Sequence, residues 1–247
     1  MQIQYGSQTS QGKVRTSNED SYVVNAKTGL SLVADGMGGH AAGEVASQLT
    51  ASTVNDWVRE HATPDVKAAE MLRLAALEAN TRIFKAQRHD QALAGMGSTL
   101  TTLLFQGEQY CIAHVGDSRA YLLRKGVLEQ LTADHSLVWH LYENGVLSKS
   151  DLARHPQKNL ITRSIGSHSE VDVDLREGAG YAGDVYLLCC DGLTDEVPED
   201  DIREVLSDAR RTPQEMADYL VDAANQAGGR DNITVVVIRL EPDDEQT

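Results

Sequence analysis

Hydrophobic positions along the chain follow two periods. Short extended runs at Ile3 to Ser7, Ser21 to Asn25 and Leu30 to Ala34, separated by glycine and polar turns, predict the strands of a meander. From Gly43 to about His61 the apolar residues Val45, Leu49, Val54, Trp57 and Val58 recur at helical spacing. From Pro64 to about His89, Met71, Leu72, Ala75, Leu77 and Ile83 do the same, so two long amphipathic helices are expected. Strands resume at Ser98 to Gln106, Gln109 to Val115 and Arg119 to Arg124, and the tight Gln106-Gly107-Glu108 link predicts an antiparallel hairpin. A more polar stretch from Asp134 to about Arg163, with Trp139, His140, Tyr142 and His155, lacks a clean core period and reads as an insertion over one sheet edge. A strand at Val185 to Cys190, helices near Asp200 to Ser207 and Pro213 to Ala227, and a strand at Ile233 to Leu240 complete the pattern.

Strictly alternating strand-helix-strand units are absent and hairpins are frequent. The expected architecture is therefore α+β, a layered sandwich with largely antiparallel sheets, and not a doubly wound parallel sheet. The 247 residues fit one domain over residues 1–240, with the flap-like insertion at about 134–163 and an acidic tail from Glu241 to Thr247.

Charge and cysteine content narrow the function. A formal net charge of -15 disfavours nucleic acid, which needs clustered Lys and Arg. Cys111, Cys189 and Cys190 lie in apolar runs without CxxC spacing, and read as buried reduced thiols instead of a disulfide frame or zinc site. The start lacks a charged segment followed by an apolar one, and no apolar run reaches the ~18 residues of a membrane helix, so a cytoplasmic location is expected.

One chemical pattern recurs. Apolar runs end in Asp35-Gly36 and in Asp191-Gly192; Cys111 to Val115 leads into Gly116-Asp117, and Asp231-Asn232 precedes the last strand. A single Asp-Gly reads as a turn. Several aspartates gathered at strand ends raise one another's pKa and repel unless cations neutralise them. Oxygen-only ligands, without paired His or Cys, point to a hard divalent ion, Mg²⁺ or Mn²⁺.

The segments Arg15-Thr16-Ser17-Asn18-Glu19-Asp20, Asp35-Gly36-Met37-Gly38-Gly39-His40, Gly97-Ser98-Thr99, Gly116-Asp117-Ser118-Arg119-Ala120, Cys190-Asp191-Gly192-Leu193-Thr194-Asp195 and Gly229-Arg230-Asp231-Asn232-Ile233-Thr234 stand in the order found in a known family. In these residues the chain resembles the metal-dependent (PPM, type 2C) serine/threonine protein phosphatases, and within them the bacterial branch. The resemblance implies a four-layer αββα sandwich of two sheets flanked by helices, with a binuclear centre at one end. It implies hydrolysis of phosphoserine and phosphothreonine by a water that bridges two tightly bound Mn²⁺ or Mg²⁺ ions.

By the same resemblance Asp35 bridges both ions, Gly36 offers its carbonyl to one, and Asp191 and Asp231 bind the other. Glu19 and Asp20 hold waters on the ions. Asp117 and Asp195 match positions associated with a third, weaker ion; the alternative is hydrogen bonding to their own turns. Arg15 is the candidate phosphate clamp, because a guanidinium matches phosphate bidentately.

The chain carries Met37 where many eukaryotic members have the histidine that protonates the leaving group. His40 or a metal-bound water is left to do this. His114, His135, His140, His155 and His168 form no ligand pair and read as core or surface residues, while His61 and His89 sit where they favour a helix C-terminus. Phosphorylated proteins, and a bacterial Ser/Thr kinase that makes them, are the implied partners of a monomeric enzyme without nucleic-acid or membrane binding. Two rivals are a different two-metal phosphoester hydrolase and a non-catalytic pseudophosphatase, which would lack metal ligands.

Overall fold

The longest apolar runs of the sequence become strands buried on both faces, and this decides the layering. The computed structural model describes residues 1–38, 42–63, 65–152 and 154–242. In chain order these form β1 (Gln2–Ser10), β2 (Asp20–Asn25), β3 (Leu30–Met37), α1 (Ala42–His61), α2 (Ala68–His89), β4 (Gly97–Ser98), β5 (Leu100–Gln106), β6 (Gln109–Val115), β7 (Arg119–Arg124) and β8 (Val127–Gln130). There follow α3 (Leu137–Glu143), α4 (Lys149–Leu152), β9 (Asp174–Ala179), β10 (Val185–Cys189), α5 (Asp191–Thr194), α6 (Glu199–Ser207), α7 (Pro213–Ala227) and β11 (Ile233–Glu241).

Among the described residues, one sheet has the order β1-β11-β10-β7-β8 and the other β2-β3-β5-β6-β9, with β4 added beside β3. All the pairings are antiparallel. Alternation along each strand sorts side chains into layers. In β10, Val185, Leu187 and Cys189 join the core under α6 and α7, whereas Tyr186 and Leu188 join the core between the sheets. In β3, Leu30 and Leu32 pack under α1 and α2, and Val33 faces the other sheet. The result is the expected helix-sheet-sheet-helix sandwich. Thr212 opens α7 with a capping box to Glu215 and Pro213 in the first turn, a cap worth about 1 kcal/mol.

Several expectations change. Ser98 to Gln106 is not one strand: Gly97–Ser98 pairs with the end of β3, and Leu100–Gln106 with its first half, Leu30 to Val33. The strand from Leu30 does not stop at Ala34 but continues through Asp35 and Gly36 to Met37, because β4 extends its pairing. The second helix begins at Ala68, and Pro64 lies outside the described residues. β8 and β9 were not expected; β8 has four residues and β9 is a mostly exposed edge without an apolar face. Glu241, the first residue of the expected tail, belongs to β11, and residues 243–247 lie outside the described residues.

The insertion carries α3 and α4. Its base is closed by the Ser136–Ile161 bridge and by Thr162 N–H donating to the His135 carbonyl at 2.8 Å. Lys149 pairs with Glu199 at 2.8 Å, and Lys158 with Asp195. No helix among the described residues is long and apolar enough to cross a membrane.

Candidate metal centre

The β2–β3 register sets the first two carboxylates, with Asp20 directly opposite Asp35. Backbone bonds hold Asp35 independently of its side chain: its N–H donates to Thr99 Oγ1 and its carbonyl accepts from Thr99 N–H, both at 2.8 Å. Gly36 N–H donates to the Glu19 carbonyl at 3.1 Å. Here the chain passes so close to the start of α1 that a Cβ on Gly36 would lie 2.0 Å from the Gly43 carbonyl oxygen, and a Cβ on Gly43 would meet Glu19 Oε2 at 2.6 Å. Both positions therefore require glycine for space, which leaves the Gly36 backbone and the Glu19 carboxylate side by side.

The other carboxylates come from the ends of second-sheet strands and from the turn that joins the two sheets. Asp191 opens α5 directly after β10, Asp231 precedes β11, and Asp117 lies in the turn from β6 to β7. Asp20, Asp35 and Cys190 offer ligand atoms that all lie within 4.8 Å of one another. A cavity of about 240 Å³ beneath the insertion has Asp117, Asp191, Asp195, Trp139, Lys149 and Lys158 in its lining.

Electrostatics mark this cluster as incomplete in protein groups alone. Burial, and then Asp191 and Asp231, push the Asp20 carboxyl up to about 7 against the hydrogen bond from Thr234. Burial and the neighbouring Asp195 and Asp231 push Asp191 up to about 6. Asp35 and Asp117 are raised well above the carboxylate range, again by burial first and by the other aspartates second. Glu19 is raised by burial, against the lowering by Arg15. Asp20 Oδ1, Asp117 Oδ1 and Asp191 Oδ1 are buried without a hydrogen-bond partner. Carboxylate oxygens only accept, so a buried, unpartnered set of this kind fits a hard divalent cation.

The structure brings Asp20, Asp35, Asp117 and Asp191 into one electrostatic cluster with Asp231. Asp195 lies at its edge, paired with Lys158. Arg15, read as a phosphate clamp, donates from Nη2 to Asp231 Oδ2 at 2.6 Å and so stands where it partly neutralises a carboxylate. His40 lies outside the described residues. His61 and His89 bond the Trp57 and Lys85 carbonyls at 2.8 and 2.7 Å in the last turns of α1 and α2, as expected. Cys190, read as plain core, borders the cluster as a thiol that burial keeps well above its usual pKa.

Sequence reasoning missed the residues that hold the carboxylates and their loops in place. Asn232 accepts the Glu19 amide at 2.8 Å and donates to the Gln11 and Ser17 carbonyls at 2.9 and 2.8 Å, which fixes the loop carrying Arg15. Thr234 donates to Asp20 Oδ2 at 2.6 Å. Glu196, whose side chain is only 4% exposed, accepts Arg230 Nε at 2.7 Å and its amide at 3.2 Å, and holds the loop before Asp231. Only the places of Asn232 and Thr234 inside a quoted segment, and of Glu196 directly after one, hinted at them.

Residues 7–229 match the family described as Protein phosphatase 2C. The serine/threonine phosphatase stp of Listeria monocytogenes is 41% identical over 238 residues, which cover 94% of each chain. The crystal structure of the Mycobacterium tuberculosis serine/threonine phosphatase PstP superposes with a TM-score of 0.91 at 40% identity, covering 97% of this chain and 99% of that one. The PstP catalytic domain in complex with two manganese ions superposes at 0.88 with 38% identity, over 97% of this chain and 99% of that one. A sandwich of two antiparallel sheets, a buried aspartate cluster at one end and likeness along almost the whole sequence agree: the chain belongs to the protein phosphatase 2C family and is a metal-dependent serine/threonine protein phosphatase.

Proposed function

We propose that Asp35, Gly36, Asp191 and Asp231 hold two divalent ions, Mn²⁺ or Mg²⁺, that Asp20 and Glu19 order the water around them, and that Asp117, with Asp191 and Asp195, receives a third and weaker ion. The observation that supports this best is the set of buried carboxylate oxygens without partners at one end of the sandwich. When bound, the ions supply an activated water for in-line displacement at phosphorus and positive charge for the phosphoryl oxygens. Thr99, Asn232, Thr234 and Glu196 keep the carboxylates and the Arg15 loop in place. Met37 has no proton to give, so protonation of the leaving serine or threonine oxygen is assigned to water in the cavity that Asp117 lines. The substrates are phosphoproteins made by a serine/threonine kinase. A panel of phosphoserine and phosphothreonine peptides, para-nitrophenyl phosphate and its bis ester tests this reading. Hydrolysis of the monoesters with the diester left intact is expected; preference for the diester would make the protein a phosphodiesterase.

Arg15 has two duties in this proposal. It screens Asp231 before the ions bind, and it receives the phosphate dianion afterwards. Arg15→Ala is expected to raise KM by about ten- to a hundredfold, the roughly 1.5 to 3 kcal/mol of one charge-assisted contact, and to leave Mn²⁺ affinity unchanged or tighter. A fall confined to kcat would place Arg15 on the transition state, and weaker Mn²⁺ binding would contradict the screening role.

A further inference from the structure

The Asp117 carboxylate accepts a hydrogen bond from its own backbone, but its Oδ1 is buried without a partner. The turn is fixed further by its neighbours. Gly116 has φ 109, and a Cβ there would meet Thr99 Cγ2 at 2.6 Å, so one side of the turn is packed against a side chain. His135 stands on the other side. Its Nδ1 accepts the Gly116 amide at 3.0 Å, and its own amide donates to the Gly116 carbonyl at 2.7 Å. Both backbone polar groups of the residue before Asp117 thus go to one histidine.

The ring is oriented in turn. With Nδ1 accepting, a neutral imidazole carries its proton on Nε2, which faces Asp174 Oδ2 at 3.2 Å. The other Asp174 oxygen accepts from Arg163 Nη1 at 2.6 Å; that nitrogen also lies 3.0 Å from His135 Nε2. The His135 side chain is 7% exposed and packs on His114, with ring centroids 4.7 Å apart. His114 is itself held by Thr101 Oγ1 and the Ala133 carbonyl. Just before the histidine, Asp134 accepts three hydrogen bonds from Arg119, two residues beyond Asp117. Asp117 is therefore framed from both sides by the segment that opens the insertion.

We infer that His135 is the positioning residue for Asp117: by accepting the Gly116 amide it fixes the Asp117 carboxylate at the cavity it lines with Asp191 and Asp195, and so sets the affinity of the weak ion. This rests on the reading of Asp117 as a carboxylate for a third ion. An orienting partner of this kind typically changes metal affinity by about 10- to 100-fold. A histidine that only filled space would change stability and leave ion affinities alone.

The test is calorimetric titration of the full chain with Mn²⁺, comparing wild type with Asp117→Ala, His135→Leu, His135→Asn and His135→Gln. Asparagine can put its Oδ1 where Nδ1 stands, whereas glutamine reaches the Nε2 position and leaves the Gly116 amide without an acceptor; leucine has no acceptor. All variants should keep the tight phase. Asp117→Ala should lose the weak phase, while His135→Leu and His135→Gln should weaken it about 10- to 100-fold and His135→Asn hold it within about threefold of wild type. Should the leucine variant fail to fold, the asparagine-glutamine comparison still decides, and equal weak-phase affinity in those two would overturn the inference. A wild-type titration without a weak phase would overturn the third-ion reading and the inference with it. A weak phase that Asp117→Ala loses but His135→Gln keeps at wild-type affinity would overturn the inference alone.

Discussion

Asp35→Asn is expected to lower kcat on a phosphopeptide on the order of a thousandfold, about 4 kcal/mol of transition-state stabilisation, at saturating Mn²⁺. Asp35 lies opposite Asp20 in the β2–β3 pair and is surrounded electrostatically by Asp20, Asp191, Asp117 and Asp231. These like charges, together with the family's pattern, are why it is the proposed bridge between ions. The amide is nearly isosteric but neutral, so it removes the charge two cations would share. The fold is expected to survive. The Asp35 backbone bonds to Thr99 do not involve the carboxylate, and the substitution relieves repulsion in the metal-free protein. Tm measured with chelator present should therefore be unchanged or higher than for wild type. Activity within tenfold of wild type, or a large fall in that Tm, would contradict the bridging role.

The strands and helices legible in the sequence are those whose burial leaves a period. Gln109–Val115, Arg119–Arg124 and Pro213–Ala227 were expected with the ends they have, because apolar alternation, a tight turn or a Thr-Pro cap marks each boundary. Val127–Gln130 and Asp174–Ala179 were not. They are edge strands held by backbone pairing to one neighbour, and their side chains carry little core pattern.

The site divides in the same way. The Asp-Gly pairs stand out because strands buried on both faces make an apolar run, against which a terminal aspartate is visible. Their convergence is not visible, since it depends on register and on how two sheets stack. His135 and Asn232 were unreadable for a different reason: they act on backbone amides and carbonyls, which leave no residue type at a fixed spacing. Arg15 was read as a phosphate clamp, and its bond to Asp231 was not foreseen because it arises only from a contact between residues 216 positions apart.

Complete removal of divalent metal should have the largest effect of all. Buried carboxylates offer no nucleophile for phosphorus, and no Ser, Thr or thiol nucleophile is assigned; without an ion to activate water, turnover has no route in this account. The central measurement is phosphopeptide hydrolysis by protein freed of metal with chelator and checked by elemental analysis, followed by stepwise return of Mn²⁺ with binding measured in parallel. The account predicts no turnover above background in the metal-free protein, and activity that returns as two Mn²⁺ bind tightly per chain. Full turnover by protein shown to contain no divalent metal would contradict it.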